Sequence, residues 1–246
     1  MSPTIERDLP PDELADVQAG LLPVRYDHRM QDVFLAQIDR LLRPGIRILD
    51  VGAGRAPTIP VGDRPAGCRY VGTDIDAAEL AAAPPGAYDL AVTADATRPL
   101  PLDETFDLII SWQVLEHVSS MAGSLDSMHR ALAPGGVLLA QLTGSRAAFA
   151  LVARFMPHRI RVAAMSRFLG HADEEKFPTS YDGCTDHRLR LLLAGWSQVQ
   201  VIPFYRGASY FTFSQPLRRA YLGYENQIAR RDVRALATHY LVIAHK

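Results

Sequence analysis

The sequence predicts an α/β fold built on a mostly parallel sheet with helices on both faces. Three observations predict it. Apolar, β-branched runs alternate with helical segments at a period of roughly 30 residues. One run, "FDLIISWQV" at 106–114, begins with unbroken apolar residues, as a strand buried on both faces should. The chain is 48% apolar over 246 residues, enough to bury one large core.

The elements follow in order. "MQDVFLAQIDRLL" (30–42) places Val33, Phe34, Ile38, Leu41 and Leu42 at helical spacing, and "RPG" ends it. "IRILDV" is the first strand, "CRYVGTDI" (68–75) the second and "YDLAVTAD" (88–95) a weaker third. The fourth starts at Phe106, and residues 115–132 read as a helix ending in "APGG". "GVLLAQLT" (136–143) is the fifth strand. The rhythm then changes. Residues 146–170 read as helical with a break at Pro157, and 171–186 as a polar loop. A helix at 187–194 turns at Gly195 into a strand at 197–204, and the last strand is 238–245. An insertion at 205–237, helical in part, separates these two strands.

Charge and composition exclude several classes. A net charge of −1 gives no global basic field, so no nucleic-acid partner is expected. No apolar run reaches the roughly 20 residues of a membrane span. The acidic, proline-containing start "MSPTIERDLPPDELAD" is unlike a signal peptide, and a cytoplasmic location is expected. Cys68 and Cys184 form neither a disulfide framework nor a zinc spacing.

The stretch "DVGAG" brings Asp50 to the carboxyl edge of the sheet, where ligands of open α/β sheets bind. Gly52 and Gly54 allow a sharp turn and a close approach. A third glycine of the G-x-G-x-x-G pyrophosphate turn is missing, because Ala56 and Pro57 follow Arg55. A carboxylate before the turn suits an amine or a sulfonium better than a pyrophosphate. The second strand ends in "GTDID", so Asp74 sits at its tip at a spacing suited to ribose hydroxyls. The third ends in "ADAT", "SWQVLEHV" follows the fourth, and "ALAPGG" precedes the fifth.

In that order these motifs resemble the class I S-adenosylmethionine-dependent methyltransferases of the small "VLEHV" type, over about residues 30–143 and more loosely in the last strand pair. The resemblance implies a Rossmann-like, seven-stranded, mostly parallel sheet with an antiparallel last strand and a helical insertion after the fifth strand. It implies one domain: an N-terminal helical cap (1–42), a cofactor-binding core (43–143), an acceptor or lid insertion (144–196) and a last strand pair carrying an aromatic insertion (197–246). It implies S-adenosylmethionine as cofactor, S-adenosylhomocysteine as product, and roles residue by residue. Asp50 would sit near the methionine part, Gly52 and Gly54 would line the cofactor, Asp74 and Ile75 would meet the ribose side, and Asp95 and Ala96 the adenine. Gln113 would face the methyl donor or the acceptor. Glu116 would orient groups near the cofactor or the helix start. Asp76 reads as a helix cap.

An alcohol acceptor needs a base, and His117 in "LEHV" suits that task, facing one pocket with Gln113 one helical turn away. The acids Asp173, Glu174 and Glu175 could ligate a divalent cation, but a charge run is ordinarily a solvated face, and no metal site is assigned. "EEKFPTSYDGCTDHRLRLLLAGW" resembles a segment of methyltransferases encoded with polysaccharide enzymes, so the expected acceptor is a sugar or oligosaccharide hydroxyl. Two alternatives stand beside it: O- or C-methylation of a lipidic or polyketide-like small molecule, and a non-catalytic cofactor-binding regulatory protein. Tyr205, Tyr210, Phe211, Phe213, Tyr221 and Tyr224 form an aromatic-rich segment that floors an acceptor pocket or makes a homodimer surface; the sequence leaves both open.

Overall fold

The computed structural model describes residues 22–146, 180–211 and 214–246. The expected lid helices, the acidic triplet 173–175, His171 and Phe213 lie outside the described residues. The chain divides into two compact units, Met1–Leu41 and Leu42–Lys246. In the first, helix α1 (Met30–Asp39) starts where the Arg29 amide donates to Asp32 Oδ2 at 3.1 Å. It is shorter than its apolar spacing suggests, because the chain turns at Arg40 ahead of Pro44.

The second unit is a seven-stranded sheet. Its strands are β1 (Arg47–Val51), β2 (Arg69–Asp74), β3 (Leu90–Thr93), β4 (Phe106–Trp112), β5 (Leu132–Thr143), β6 (Ser197–Phe204) and β7 (His239–His245). Their order is β3-β2-β1-β4-β5-β7-β6. Strands β1 to β5 are mutually parallel, and β7 runs antiparallel between β5 and β6. The expected antiparallel last strand is therefore present. Helices are α2 (Ala77–Ala81), α3 (Met121–Ala131), α4 (Asp186–Leu192) and α5 (Gln215–Arg230). From β2 to β3 the chain moves toward one edge, and from β4 to β5 toward the other. Right-handed crossovers in opposite directions place α2 and α3 on opposite faces.

Alternation along the strands sorts the faces. Leu49, Val51, Ile109, Leu138, Ala140 and Leu142 share one buried cluster with Met121, Leu125 and Met128 of α3 and Leu189 of α4. Asp76 caps α2 as expected, accepting from the amides of Ala78 (2.8 Å) and Glu79 (3.4 Å).

Two expectations are corrected. Residues 115–132 are not one helix: Leu115–His117 form a turn, and α3 starts only after Ser120, whose hydroxyl accepts from the Gly123 amide at 3.1 Å. "APGG" does not end a helix into a loop. Strand β5 begins at Leu132, which pairs with Phe106, and the register shifts before Leu108 meets Val137. Pro134 and the two glycines therefore lie in an irregular stretch inside the strand.

The aromatic insertion packs on itself. Tyr205 is buried, and the Phe211 and Tyr221 rings lie 4.6 Å apart with Tyr224 edge-on to Tyr221 at 5.6 Å. Cys184 is buried and Cys68 half-buried, both as free thiols. Among the described residues no helix is long and apolar enough to cross a membrane.

Candidate cofactor and active site

The strand order reverses between β1 and β4, and the loops leaving those two strands meet there. Gly52 ends β1 with φ +75°, and its amide donates to Thr73 O at 2.7 Å. A Cβ at Gly52 would lie 2.1 Å from Val114 Cγ2. Glycine is thus required twice, by backbone conformation and by the neighbouring loop.

Asp50 is 1% exposed. Its Oδ2 accepts from the Thr58 amide (2.8 Å) and the Tyr70 hydroxyl (2.7 Å), and its Oδ1 from the Thr58 hydroxyl (3.0 Å). Burial raises its pKa, against these hydrogen bonds, which lower it. The expected charge near a ligand's amine is, in the described residues, engaged inward, tying both ends of the loop 52–58 to the sheet. The same face of β2 carries Tyr70, Gly72 and Asp74.

Asp74 stands at the tip of β2. Oδ2 accepts from the Gly54 amide (3.0 Å) and Oδ1 from the Asp76 amide (2.9 Å). A carboxylate offers about four acceptor sites, so Asp74 has acceptor capacity beyond these two amides. Burial raises its pKa, and the amides of Asp76 and Gly54 work against that rise. Next to it Ile75 is 60% exposed, an apolar surface at the rim. Across the edge, Asp95 Oδ1 accepts from the Thr97 amide (2.9 Å) and hydroxyl (2.7 Å), with Ala96 half-buried between them. Those bonds hold the Asp95 carboxyl below its ordinary pKa. Asp95 Oδ2 lies 3.7 Å from Arg98 Nε. The structure therefore brings Gly52, Gly54, Asp74, Ile75, Asp95 and Ala96 to one edge.

Gln113 is exposed and sits at φ +56°, the left-handed region that a non-glycine residue rarely adopts. Its amide donates to Gln141 O at 2.9 Å. The His117 amide donates to Val114 O at 2.9 Å, closing the turn. Gln113 and His117 are thus not one helical turn apart; they flank a tight turn at the switch point. His117 Nδ1 is buried and has no hydrogen-bond partner among the described residues. Glu116 is 3% exposed; its Oε1 accepts from the Thr143 amide at 3.1 Å, while Oε2 has no partner among the described residues. Burial raises its pKa. The Glu116 carbonyl accepts from the amides of Ser180 and Tyr181, both at 2.9 Å, which docks the returning chain against this turn.

Sequence reasoning missed Tyr70, Tyr88 and Thr58. Period-two alternation in β2 could have placed Tyr70 on the face of Asp74, but its partner Asp50 lies on another strand. Among the described residues no group of three His, Cys, Asp or Glu side chains could hold a metal ion.

A family model described as a methyltransferase domain matches residues 26–209. The chain is 31% identical over 100 residues to a ubiquinone biosynthesis O-methyltransferase of Nitrobacter winogradskyi, covering 39% of this chain and 38% of that protein. It resembles the structure of Haemonchus contortus phosphoethanolamine N-methyltransferase 2, bound to phosphomonomethylethanolamine and S-adenosylhomocysteine, with TM-score 0.55 and 16% identity. That likeness covers 87% of this chain and 52% of the nematode enzyme. It also resembles the [4+2]-cyclase SpnF, with TM-score 0.55 and 17% identity over 90% of this chain and 82% of the cyclase. This chain therefore spans about two fifths of the curated relative's length and about half of the nematode enzyme's.

Proposed function

Because the chain belongs to the methyltransferase-domain family, we propose that it is an S-adenosylmethionine-dependent O-methyltransferase of a small molecule. The observation that carries this reading is Asp74. Its carboxylate is oriented by the Gly54 amide on Oδ2 and the Asp76 amide on Oδ1, is half-buried, and lies beside the exposed Ile75 and the glycine turn, where two adjacent hydroxyls can donate to it. Ribose flanked by an apolar base fits that surface. Gly54 leaves the approach to Asp74 open, since a Cβ there would lie in van der Waals contact with Oδ2, at 3.7 Å. On the adenine side, Asp95 Oδ2 is the acceptor for an exocyclic amine, next to Ala96.

When bound, the cofactor supplies an electrophilic methyl on a sulfonium. The chain's residues then hold the acceptor in line and take its proton. Gln113, exposed at the switch point, is assigned to position donor and acceptor. His117 is assigned the proton, through an imidazole nitrogen; general-base catalysis of this kind is worth about 10²–10⁴ in rate. The name of the Nitrobacter relative supports an oxygen nucleophile. It also favours a lipidic acceptor over a sugar or oligosaccharide, whose support rests on residues 171–186 and so largely on the undescribed segment. A cofactor-binding protein without methyl transfer is the rival, since a protein named as a [4+2]-cyclase shares the fold.

Calorimetry with S-adenosylhomocysteine, followed by mass spectrometry of products from labelled S-adenosylmethionine with phenols, prenylated phenols and sugars, tests the reading. Asp74→Ala is expected to weaken S-adenosylhomocysteine at least tenfold, since it removes two charge-assisted hydrogen bonds worth about 1.5–3 kcal/mol each. His117→Ala is expected to lower kcat by about 10²–10⁴ with cofactor affinity retained. A folded wild type that fails to bind S-adenosylhomocysteine would overturn the assignment. Binding without turnover on any acceptor would favour the rival.

A further inference from the structure

We infer that Tyr88 is a positioning residue for cofactor recognition, acting on Asp74 through one peptide group. The inference rests on the reading of Asp74 as the ribose carboxylate. Tyr88 lies two residues before the start of β3, and no role in the site follows from its place in the sequence. Its hydroxyl lies 2.9 Å from Ala53 O and 3.0 Å from Gly54 O, and it donates its one proton to this pair of carbonyls. Burial raises the phenol's pKa, so it remains a donor throughout the neutral range.

The Ala53–Gly54 peptide is held at both ends. Its carbonyl accepts from Tyr88, and its N–H donates to Asp74 Oδ2 at 3.0 Å. A trans peptide is planar, with its N–H and C=O pointing in opposite directions. Fixing the carbonyl therefore fixes the direction from which the N–H meets Asp74. That bond, with the Asp76 amide on Oδ1, sets which lone pairs of Asp74 face outward. The peptide sits between Gly52 at φ +75° and Gly54 at φ +52°, where the backbone is least self-determined and most in need of an external hold.

The sheet is shaped to admit this ring. Gly72 lies in the middle of β2, in register with Asp50, and a Cβ there would come within 2.6 Å of Tyr88 Cδ1 and Cε1. Only glycine lets the Tyr88 ring lie against the strand and reach across it. The ring stacks on Tyr70 at 6.1 Å with an interplanar angle of 17°. Tyr70 in turn holds the far end of the same loop, accepting from the Ile59 amide at 3.1 Å. Two phenols thus grip the glycine loop at two points, and one of them grips the peptide that aims Asp74.

The test is calorimetry with S-adenosylhomocysteine on wild type, Tyr88→Phe, Asp74→Ala and the double variant. Tyr88→Phe keeps the ring and deletes the hydroxyl. It is expected to weaken binding about threefold to tenfold, the equivalent of one hydrogen bond. In the Asp74→Ala background the same substitution is expected to cost less than twofold. Gly72→Ala, which keeps the hydroxyl but displaces the ring, is expected to reproduce the loss and serves as well should Tyr88→Phe not fold. Binding by a folded Tyr88→Phe within twofold of wild type would overturn the proposal. Equal losses in both backgrounds would also overturn it, because the phenol would then stabilise the loop without acting through Asp74. Absence of binding by the wild type would instead remove the cofactor reading on which the proposal stands.

Discussion

The Tyr70 hydroxyl stands 2.7 Å from Asp50 Oδ2 and accepts the Ile59 amide at 3.1 Å, so one phenol joins the core acid of β1 to the end of the glycine loop. The Arg64 guanidinium lies 3.7 Å over the Tyr70 ring and donates to the carbonyls of Ile59 (3.0 Å) and Ala87 (2.7 Å), closing the assembly.

Tyr70→Phe strips a buried carboxylate of one donor and the Ile59 amide of its acceptor. A stability loss of about 1–3 kcal/mol is expected from urea unfolding. The Tyr70 bond also works against the burial that raises Asp50's pKa, so its removal raises that pKa further. A folded carboxyl with a raised pKa holds its proton longer than the unfolded one, and stability falls as pH rises through that window. The penalty of Tyr70→Phe is therefore expected to be larger at neutral than at acid pH. A loss independent of pH would show that Asp50 does not sense the phenol.

Gly52→Ala is expected to fail inside the protein before any ligand is involved. Its Cβ meets Val114 at 2.1 Å, and alanine is strained at φ +75°. The combined cost is expected at about 2–4 kcal/mol. Gly52→Ala/Val114→Ala removes both Val114 methyls and leaves its Cβ at 3.0 Å, so it should relieve much of the steric part, giving a favourable coupling of about 0.5–3 kcal/mol in a double-mutant cycle. Strict additivity would place the two loops farther apart.

Glu116→Gln keeps an acceptor for the Thr143 amide and removes a buried charge. Burial raises the Glu116 pKa, so the wild type loses stability as pH rises through that raised value and the variant does not. The difference in Tm between variant and wild type should move in the variant's favour from pH 5 to pH 8. Methyl transfer should fall, because Glu116 adjoins His117 in the same turn and its charge acts on that imidazole. Unchanged turnover would confine Glu116 to docking the returning chain.

His239 is 5% exposed, with its pKa lowered to about 4 by burial and by Arg206. It stays neutral in the folded protein where an unfolded histidine, at about 6.5, is already charged. The unfolded chain therefore binds more protons between about pH 6.5 and pH 4, and stability falls as pH falls through that window, by about 3 kcal/mol at most. His239→Gln should flatten the slope in urea midpoints across that range. An undiminished slope would assign the acid sensitivity to other groups.

The strands were legible because each carries its own signal: β6 spans the residues its pattern indicates, and the acids at the tips of β1, β2 and the loop after β3 fall where a carboxyl edge must lie. The helix over 115–132 was not, because "LEHV" has helical apolar spacing but Gln113 turns left-handed and Ser120 resets the start. Periodicity does not encode φ. The irregular stretch at Pro134–Gly136 was likewise hidden, since a turn and a strand irregularity share the same residues and only the pairing of Leu132 with Phe106 distinguishes them. Tyr88 was illegible for the same reason. Its role depends on a glycine sixteen residues earlier in the sequence (72 to 88) that lies under its ring.

Strand β7 lies between β5 and β6, and among the described residues β6 pairs with no strand but β7. On the ribosome β6 is made first and has nowhere to go. Its partner follows only after residues 205–238, and at about 5–20 residues per second the wait is roughly 2–7 s. Until β7 is made, β6 has no partner strand among the described residues and the outer edge of β5 stays open. Helix α5 and the aromatic segment are translated within the same interval. Their local packing, Phe211 on Tyr221 and Tyr221 on Tyr224, can form without waiting for β7. The order of synthesis thus leaves the outer edge of β5 and the whole of β6 to be paired only when the last strand has been made.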